Sequence, residues 1–222
     1  MIVLIDADSL VYSCCYGVED IDGAVDKFDQ HIMYIVNDID NVYPVDIVRV
    51  FHRSVDNFRY DIDKEYKGNR KSEKPEFYHQ LSDYVVKAYE AEMAIGEEVD
   101  DLVAREWKNY TDEGKEACIV SIDKDYLQLP ALIYNYNIRS RGFRRVSEEE
   151  AERNFWLQML TGDSADNVKG VPGIGIVKAK KHLQDAQYTF SYVRRVYALF
   201  KEKYADDGLK RFRETYKLLK IG

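Results

Sequence analysis

The chain has 222 residues, 45% hydrophobic and 32% charged, which suits one compact α/β domain with a smaller attached element and excludes a disordered chain. Its formal charge is −8, from 40 Asp+Glu against 32 Lys+Arg, so any contact with nucleic acid must rest on local charge. Short apolar runs, no signal-peptide pattern and an odd set of cysteines (Cys14, Cys15, Cys118) exclude a membrane partner and a disulfide framework, and point to a reducing, cytoplasmic setting.

Ile2 to Ile5 is a β-branched apolar run, read as a buried strand that stops at Asp6-Ala-Asp8. Helical patterns follow from about Ser9 and over roughly Ala24 to Val42. Ile47 to Phe51 reads as a second strand, ending at His52. Residues 53–76 have no clean period and carry seven Lys/Arg and six Asp/Glu. They read as a long exposed excursion, a feature that is often functional in compact domains. Phe77 to Ala94 is helical again, and Gly96 breaks the pattern. Val99, Leu102, Val103 and Trp107 then share one helical face. Ala117 to Ile122 is a third strand ending at Asp123, and Leu132 to Tyr136 a fourth. A basic patch follows, Arg139, Arg141, Arg144 and Arg145. From Val146 onward the chain is helical, interrupted by GVPGIG at 170–175. Alternating strands and helices predict an α/β fold with a mainly parallel central sheet and helices on both faces.

Asp6, His52 and Asp123 each follow a predicted strand, on the sheet edge where open parallel sheets bind ligands. Taken singly, such an Asp is more often a helix N-cap or turn residue. Further acids weaken that reading. Glu98, Asp100 and Asp101 open a helix, where they would also complement its dipole. Asp123 and Asp125 share a direction if the backbone is extended. Asp163 and Asp166 lie on one face of a helical turn if the helix continues there. Eight converging carboxylates would need hard divalent cations, with two Mg²⁺ as the natural compensation for a phosphodiesterase.

The hairpin GVPGIG lies among Lys169, Lys178, Lys180, Lys181 and His182, with no acid from 167 to 184. Gly173 and Gly175 permit close backbone approach, and the following helix offers free N–H groups. A tight turn with solvated lysines is the plain alternative. The local positive charge in an acidic chain favours a grip on a nucleic-acid backbone.

Four segments resemble the 5′-nuclease (flap endonuclease-like) superfamily, which includes bacteriophage 5′-3′ exonucleases and the 5′-nuclease domain of bacterial DNA polymerase I. They are LIDADSL at 4–10, EEVDDLVA at 97–104, SIDKDYLQL at 121–129 and TGDSADNVKGVPGIG at 161–175. A fifth, FRYDIDKEYKGNR at 58–70, is similar to the family's helical arch. The resemblance implies a PIN-like/5′-nuclease fold with a helical arch and a C-terminal helix–three-turn–helix element. It divides the chain into a nuclease core over 1–150, with the arch at about 53–90, and a helical DNA-binding element over 151–222. It implies a first metal site from Asp6, Glu98 and Asp100 with Asp101 beside it, and a second from Asp123, Asp125, Asp163 and Asp166. Asp6, Asp100 and Asp123 are the implied catalytic acids. Tyr66, Lys67 and Arg70 would guide a single-stranded 5′ end, with Lys67 and Arg70 stabilising the scissile phosphate. Lys169, Gly173, Gly175 and Lys178, with Arg141 and Arg144, would hold DNA, and hairpin carbonyls would hold K⁺.

Two departures stand out. His52 replaces the family's Asp after the second strand, which predicts a weaker first site that favours Mn²⁺, or a histidine that only hydrogen-bonds nearby. Val177 stands where the family has Lys, with Lys178 displaced by one. Most C-terminal cations, such as Arg194 and Lys210, read as exposed faces of amphipathic helices rather than duplex contacts. The expected activity is metal-dependent cleavage of DNA, or of RNA in an RNA/DNA duplex, at 5′ ends or flaps by a monomer. The rival readings are a PIN-like ribonuclease and a catalytically impaired, structure-specific DNA-binding protein.

Overall fold

The computed structural model describes residues 1–70 and 73–222; Lys71 and Ser72 of the predicted excursion lie outside the described residues. A six-stranded sheet forms the centre, in the order β3-β2-β1-β4-β5-β6. Its strands are β1 (Ile2–Asp6), β2 (Ile47–Ser54), β3 (Glu92–Ala94), β4 (Ala117–Val120), β5 (Leu132–Asn135) and β6 (Gly142–Arg145). The first five run parallel and β6 is antiparallel to β5. Alternation along β1 sends Val3 and Ile5 to one face and Ile2 and Leu4 to the other, and both faces are buried.

Helices α1 (Asp8–Cys14), α2 (Ile21–Asp40) and α4 (Tyr78–Ala88) cover the first face through Leu10, Phe28, Ile35 and Leu81. Helix α5 (Val99–Asp112) covers the second through Val99, Leu102 and Val103. The C-terminal helices α6 (Glu148–Thr161), α7 (Ile176–Leu183), α8 (Thr189–Tyr204) and α9 (Gly208–Leu219) enclose a third core. Trp156 is its hub, stacked at 6.3 Å on both Tyr192 and Phe212. Phe200 and Leu218 are buried there, as amphipathic helices require. Among the described residues no helix is long and apolar enough to cross a membrane.

One local expectation needs correction, and two segments left without an element gain one. The helix begun near Phe77 ends at Ala88, because Glu90 takes a left-handed φ of 49°, and Glu92–Ala94 pairs with β2 as a strand. Half of the basic patch is strand β6, whose Phe143 packs edge-on against Tyr134 and Tyr43. The segment likened to the arch, 58–70, forms the short α3 (Arg59–Ile62) and a run of turns to residue 70, with α4 following within the expected arch span of about 53–90.

Candidate active site

The parallel topology brings the C-terminal ends of β1, β2 and β4 to one edge. Asp6 closes β1 and accepts from the Asp8 amide at 3.1 Å and the Tyr126 hydroxyl at 3.0 Å. Asp123 follows β4 and caps a 3₁₀ turn (Lys124–Gln128), accepting from the Asp125 amide at 2.9 Å. The predicted extended spacing of Asp123 and Asp125 is therefore a 3₁₀ turn. Glu98 caps α5 from the same edge, in a capping box closed by Asp101. Asp163 and Asp166 do not share a helical turn. They sit in a small ribbon of β7 (Gly162–Asp163) and β8 (Val168–Lys169), made possible by Gly162 at φ 72° and Asn167 at φ 59°.

The eight acids divide by their partners. Four are ion-paired. Glu98 meets Lys67, Asp101 meets Arg59, Asp163 meets Lys124 at 2.7 Å, and Asp166 meets Arg70 at 2.6 Å. The other four, Asp6, Asp100, Asp123 and Asp125, have no ion-pair partner among the described residues. Burial first, and then the charge of Asp8, pushes the Asp6 carboxyl up to about 7. Burial and then the Asp123 charge push Asp125 to about 7 as well. Asp100 is raised by burial and by Glu98. The side-chain amide of Gln158 donates to Asp125 at 2.8 Å and Asp163 at 3.0 Å, joining two of the predicted ligands.

Among the described residues no group of three or more His, Cys, Asp or Glu is arranged to hold a metal ion. The expected convergence is thus one of place, since Lys67, Arg70, Lys124 and Arg59 draw half of the carboxylates aside. The remaining donors still fit a hard divalent cation. They are all oxygens, and burial first, then neighbouring carboxylates, raises the affinity of Asp6, Asp100 and Asp125 for protons.

His52 takes the hydrogen-bonding role rather than the metal-ligand role. It is fully buried, and both ring nitrogens are engaged, Nδ1 with Asp8 Oδ1 and Nε2 with Ser82 Oγ, each at 2.7 Å. No lone pair is left for a metal. Arg53, held at φ 71°, completes the cluster with its amide on Asp8 and its guanidinium on Ser82. Replacing His52 with Ala should lower stability by about 2–4 kcal/mol in urea unfolding, since it leaves buried partners unsatisfied, and Ser82→Ala by about 1–2 kcal/mol.

Tyr66, expected to guide the 5′ strand, is buried. Its ring is 2% exposed, and its hydroxyl donates between Glu98 at 2.7 Å and Asp166 at 2.9 Å. Asp101 is likewise spent, with both oxygens on Arg59. Lys67 and Arg70 do stand over the acids. At the hairpin, Gly173 (φ 78°) and Gly175 are exposed, and no atom lies within 4 Å of where a Cβ would stand. Lys178 turns its ammonium back onto the Gly173 carbonyl at 2.8 Å, while Lys169 is exposed on β8. Arg141 lies by the acidic edge, since its neighbour Gly142 pairs with the last residue of β5, and it donates to the Tyr34 hydroxyl at 2.8 Å. Arg144 is farther down β6 and pairs with Glu150. Sequence reasoning passed over Asp8, Arg59, Lys124 and Gln158. Lys124 between two acids was the one visible signal.

A family model described as the 5′-3′ exonuclease, N-terminal resolvase-like domain matches residues 1–155. DNA polymerase I of Bacillus subtilis (strain 168) is 29% identical over 82% of this chain and 23% of its own length. The 5′-3′ exonuclease of Buchnera aphidicola subsp. Schizaphis graminum is 29% identical over 79% of this chain and 68% of its own. Flap endonuclease Xni of Vibrio parahaemolyticus is 35% identical over 63% and 59%. The chain therefore spans about a fifth of the length of the polymerases it matches. In structure it resembles the bacteriophage T5 flap endonuclease solved as a pseudo-enzyme-product complex with DNA and metal ions, with a TM-score of 0.74 at 15% identity over 99% of this chain and 89% of that one. The catalytic core of Rad2 in complex with DNA substrate gives 0.56 at 15% identity over 100% and 80%. At such identity these two likenesses speak for the fold, which agrees with the sheet and C-terminal helices described above. With the match over residues 1–155, the chain belongs to the 5′-3′ exonuclease, N-terminal resolvase-like domain family.

Proposed function

We propose that this chain is a metal-dependent, structure-specific 5′-nuclease that hydrolyses phosphodiester bonds of DNA at 5′ ends or flaps, acting as a monomer in the cytoplasm. The observation that carries the reading is the set of four carboxylates with no ion-pair partner among the described residues, Asp6, Asp100, Asp123 and Asp125, at one edge of a parallel sheet. The names of the relatives support it: one is a 5′-3′ exonuclease and one a flap endonuclease.

Asp6, Asp100, Asp123 and Asp125 would hold Mg²⁺, with Mn²⁺ as a substitute, and Glu98, Asp163 and Asp166 would join them. Bound divalent ions supply charge neutralisation and an activated water. The chain's own residues do the rest. Tyr66 and Lys67 fix Glu98, and Gln158 fixes Asp125 and Asp163. Lys67 and Arg70 exchange their carboxylates for the incoming phosphate and hold its charge. The open backbone at Gly173 and Gly175, with Lys169, receives the duplex strand, while Arg141 lies at the edge the 5′ strand crosses. K⁺ at the hairpin belongs to the same reading, in competition with Lys178 for the Gly173 carbonyl.

The test is cleavage of a flap duplex labelled at either end of the flap strand, with Mg²⁺, Mn²⁺ or chelator, beside Asp123→Ala/Asp125→Ala. Metal-dependent products that vanish in the double variant are expected. An RNA-flap duplex run in parallel decides whether the 5′ strand must be DNA. Cutting of single-stranded RNA without regard to a duplex would favour the PIN-like ribonuclease. Tight binding with no product under any metal would overturn the nuclease reading in favour of a binding protein.

A further inference from the structure

We propose that Arg59 is a positioning residue of the acidic site, and that the main-chain carbonyls of Leu218 and Lys220 are part of the clamp through which it acts. The kinetic part of this inference rests on the nuclease reading; the geometric part does not.

Arg59 is 1% exposed and is among the largest fully buried side chains. A guanidinium withdrawn from water needs its donors satisfied and its charge matched. Four of its five N–H donors are hydrogen-bonded, and its charge is matched by Asp101, with Glu98 Oε2 3.7 Å from Nη1. Two nitrogens fork onto the Asp101 carboxylate, Nη2 to Oδ1 at 3.0 Å and Nη1 to Oδ2. Nε donates to Leu218 O and Nη2 to Lys220 O, both at 2.9 Å. The Phe58 ring lies 4.8 Å from the guanidinium carbon, and the Arg59 amide is fixed by Asn57 Oδ1 at 2.9 Å.

Asp101 passes the constraint on. Its Oδ2 accepts the Glu98 amide at 3.1 Å and its Oδ1 the Gly222 amide at 3.2 Å. Glu98 is the N-cap of α5, and Asp100, which has no ion-pair partner among the described residues, lies between Glu98 and Asp101. The first turn of α5 is thus held from outside its own helix, by a cation at the base of the arch segment and by carbonyls at the end of α9 and just beyond it. Lysine cannot reproduce this, because a single ammonium lacks the planar fork that meets a carboxylate and two carbonyls at once. Supporting residues that orient ligands typically change affinity or activity by about 10–100-fold.

The test compares the full chain with Arg59→Lys and with a variant carrying two glycines inserted between Leu219 and Lys220, which displaces the second carbonyl and keeps Arg59. Three readouts are needed: exchange of the Glu98 amide, Mn²⁺ titration by calorimetry without DNA, and kcat and KM on the flap duplex. In each folded variant, Glu98 amide exchange should speed up by about tenfold or more. Mn²⁺ affinity and kcat should fall by about 10–100-fold, with KM for DNA moving less than about threefold. The combined variant should be no worse than Arg59→Lys, because both changes break one unit. A variant that only melts earlier, with wild-type exchange at Glu98 and wild-type Mn²⁺ affinity, would overturn the inference and leave the nuclease reading standing. If the unaltered protein neither binds Mn²⁺ nor cleaves, the nuclease reading falls, and the Glu98 amide alone decides the clamp.

Discussion

Asp6→Asn should lower metal-dependent cleavage of a flap duplex by about 10³-fold or more and, in chelator at pH 8, raise the unfolding midpoint. Both effects have one origin. Asp6 is 8% exposed and lies among Asp8, Asp123 and Tyr126, with no cation beside it. Its carboxyl is pushed up to about 7 by burial, then by the charge of Asp8, and Asp125 reaches about 7 by burial and then by Asp123. A carboxyl that holds its proton more tightly when folded contributes stability below the unfolded value, and that stability is lost as pH rises through the folded one. The metal-free protein should therefore lose stability between about pH 4 and pH 7, by a few kcal/mol, since each tenfold gain in proton affinity on folding is worth roughly 1.4 kcal/mol. Burial alone would raise Asp8 and Asp163 as well, yet both are shifted down, the first by its hydrogen bond and charge contact with His52 and the second by Lys124. Their contribution is lost on the acid side, as pH falls below the ordinary carboxylate range. Thermal unfolding at pH 5 and pH 8, with chelator and with Mg²⁺, checks the sign. The chelated protein should melt higher at pH 5, Mg²⁺ should close the gap at pH 8, and Asp6→Asn should shrink it. A chelated wild type more stable at pH 8 than at pH 5 would refute the account of the site's charge.

Gly170→Ala should cost about 3 kcal/mol or more in urea unfolding, while Gly175→Ala in the same hairpin should cost almost nothing. The difference is one of space. A Cβ on Gly170 would stand 2.4 Å from both the Gly162 amide nitrogen and the Leu160 carbonyl, and the latter already accepts from the Val171 amide at 2.8 Å. A Cβ on Gly162 would meet the Gly170 amide nitrogen and the Val168 carbonyl at 2.4 Å. The two glycines face each other, and neither backbone can yield without displacing the ribbon that carries Asp163. Around Gly175 nothing lies within 4 Å, so its missing side chain benefits a ligand and not the fold. Gly175→Ala should therefore weaken duplex binding several-fold in a titration at fixed salt, with the unfolding midpoint unchanged. Unchanged duplex affinity would remove the hairpin from the interface.

The strands easiest to read were β1, β2 and β4, because strands in the middle of a covered parallel sheet carry short, mostly apolar runs. Strand β3 escaped notice because three residues after a helix carry no period of their own, and β6 because its arginines masked a single inward Phe143. The acids were legible as a group, since strand ends and helix starts are visible in sequence. Their division into paired and unpaired sets was not. Tyr66 and Asp166 are 100 residues apart, and His52 finds its partners 44 residues back and 30 residues ahead. No local pattern encodes such meetings, so a tyrosine read as a guide for the 5′ strand lies buried between two acids, and of the two readings of His52 the hydrogen-bonding one matches its partners.

The contact between Arg59 and Lys220 joins positions 161 residues apart, and that between Arg59 and Leu218 positions 159 apart. Loop closure of that span should come late in folding, after the parallel sheet has assembled from strands that are themselves distant in sequence. During synthesis the segment bearing Asp6, Glu98 and Asp123 emerges long before the carbonyls that close the clamp. A nascent chain would hold these acids for several seconds before the clamp exists, at roughly 5–20 residues per second. Folding followed by stopped-flow fluorescence of a Trp107→Phe variant, in which Trp156 alone reports the C-terminal core, should accordingly show its slow phase tracking the arrival of α9, with the sheet already protected.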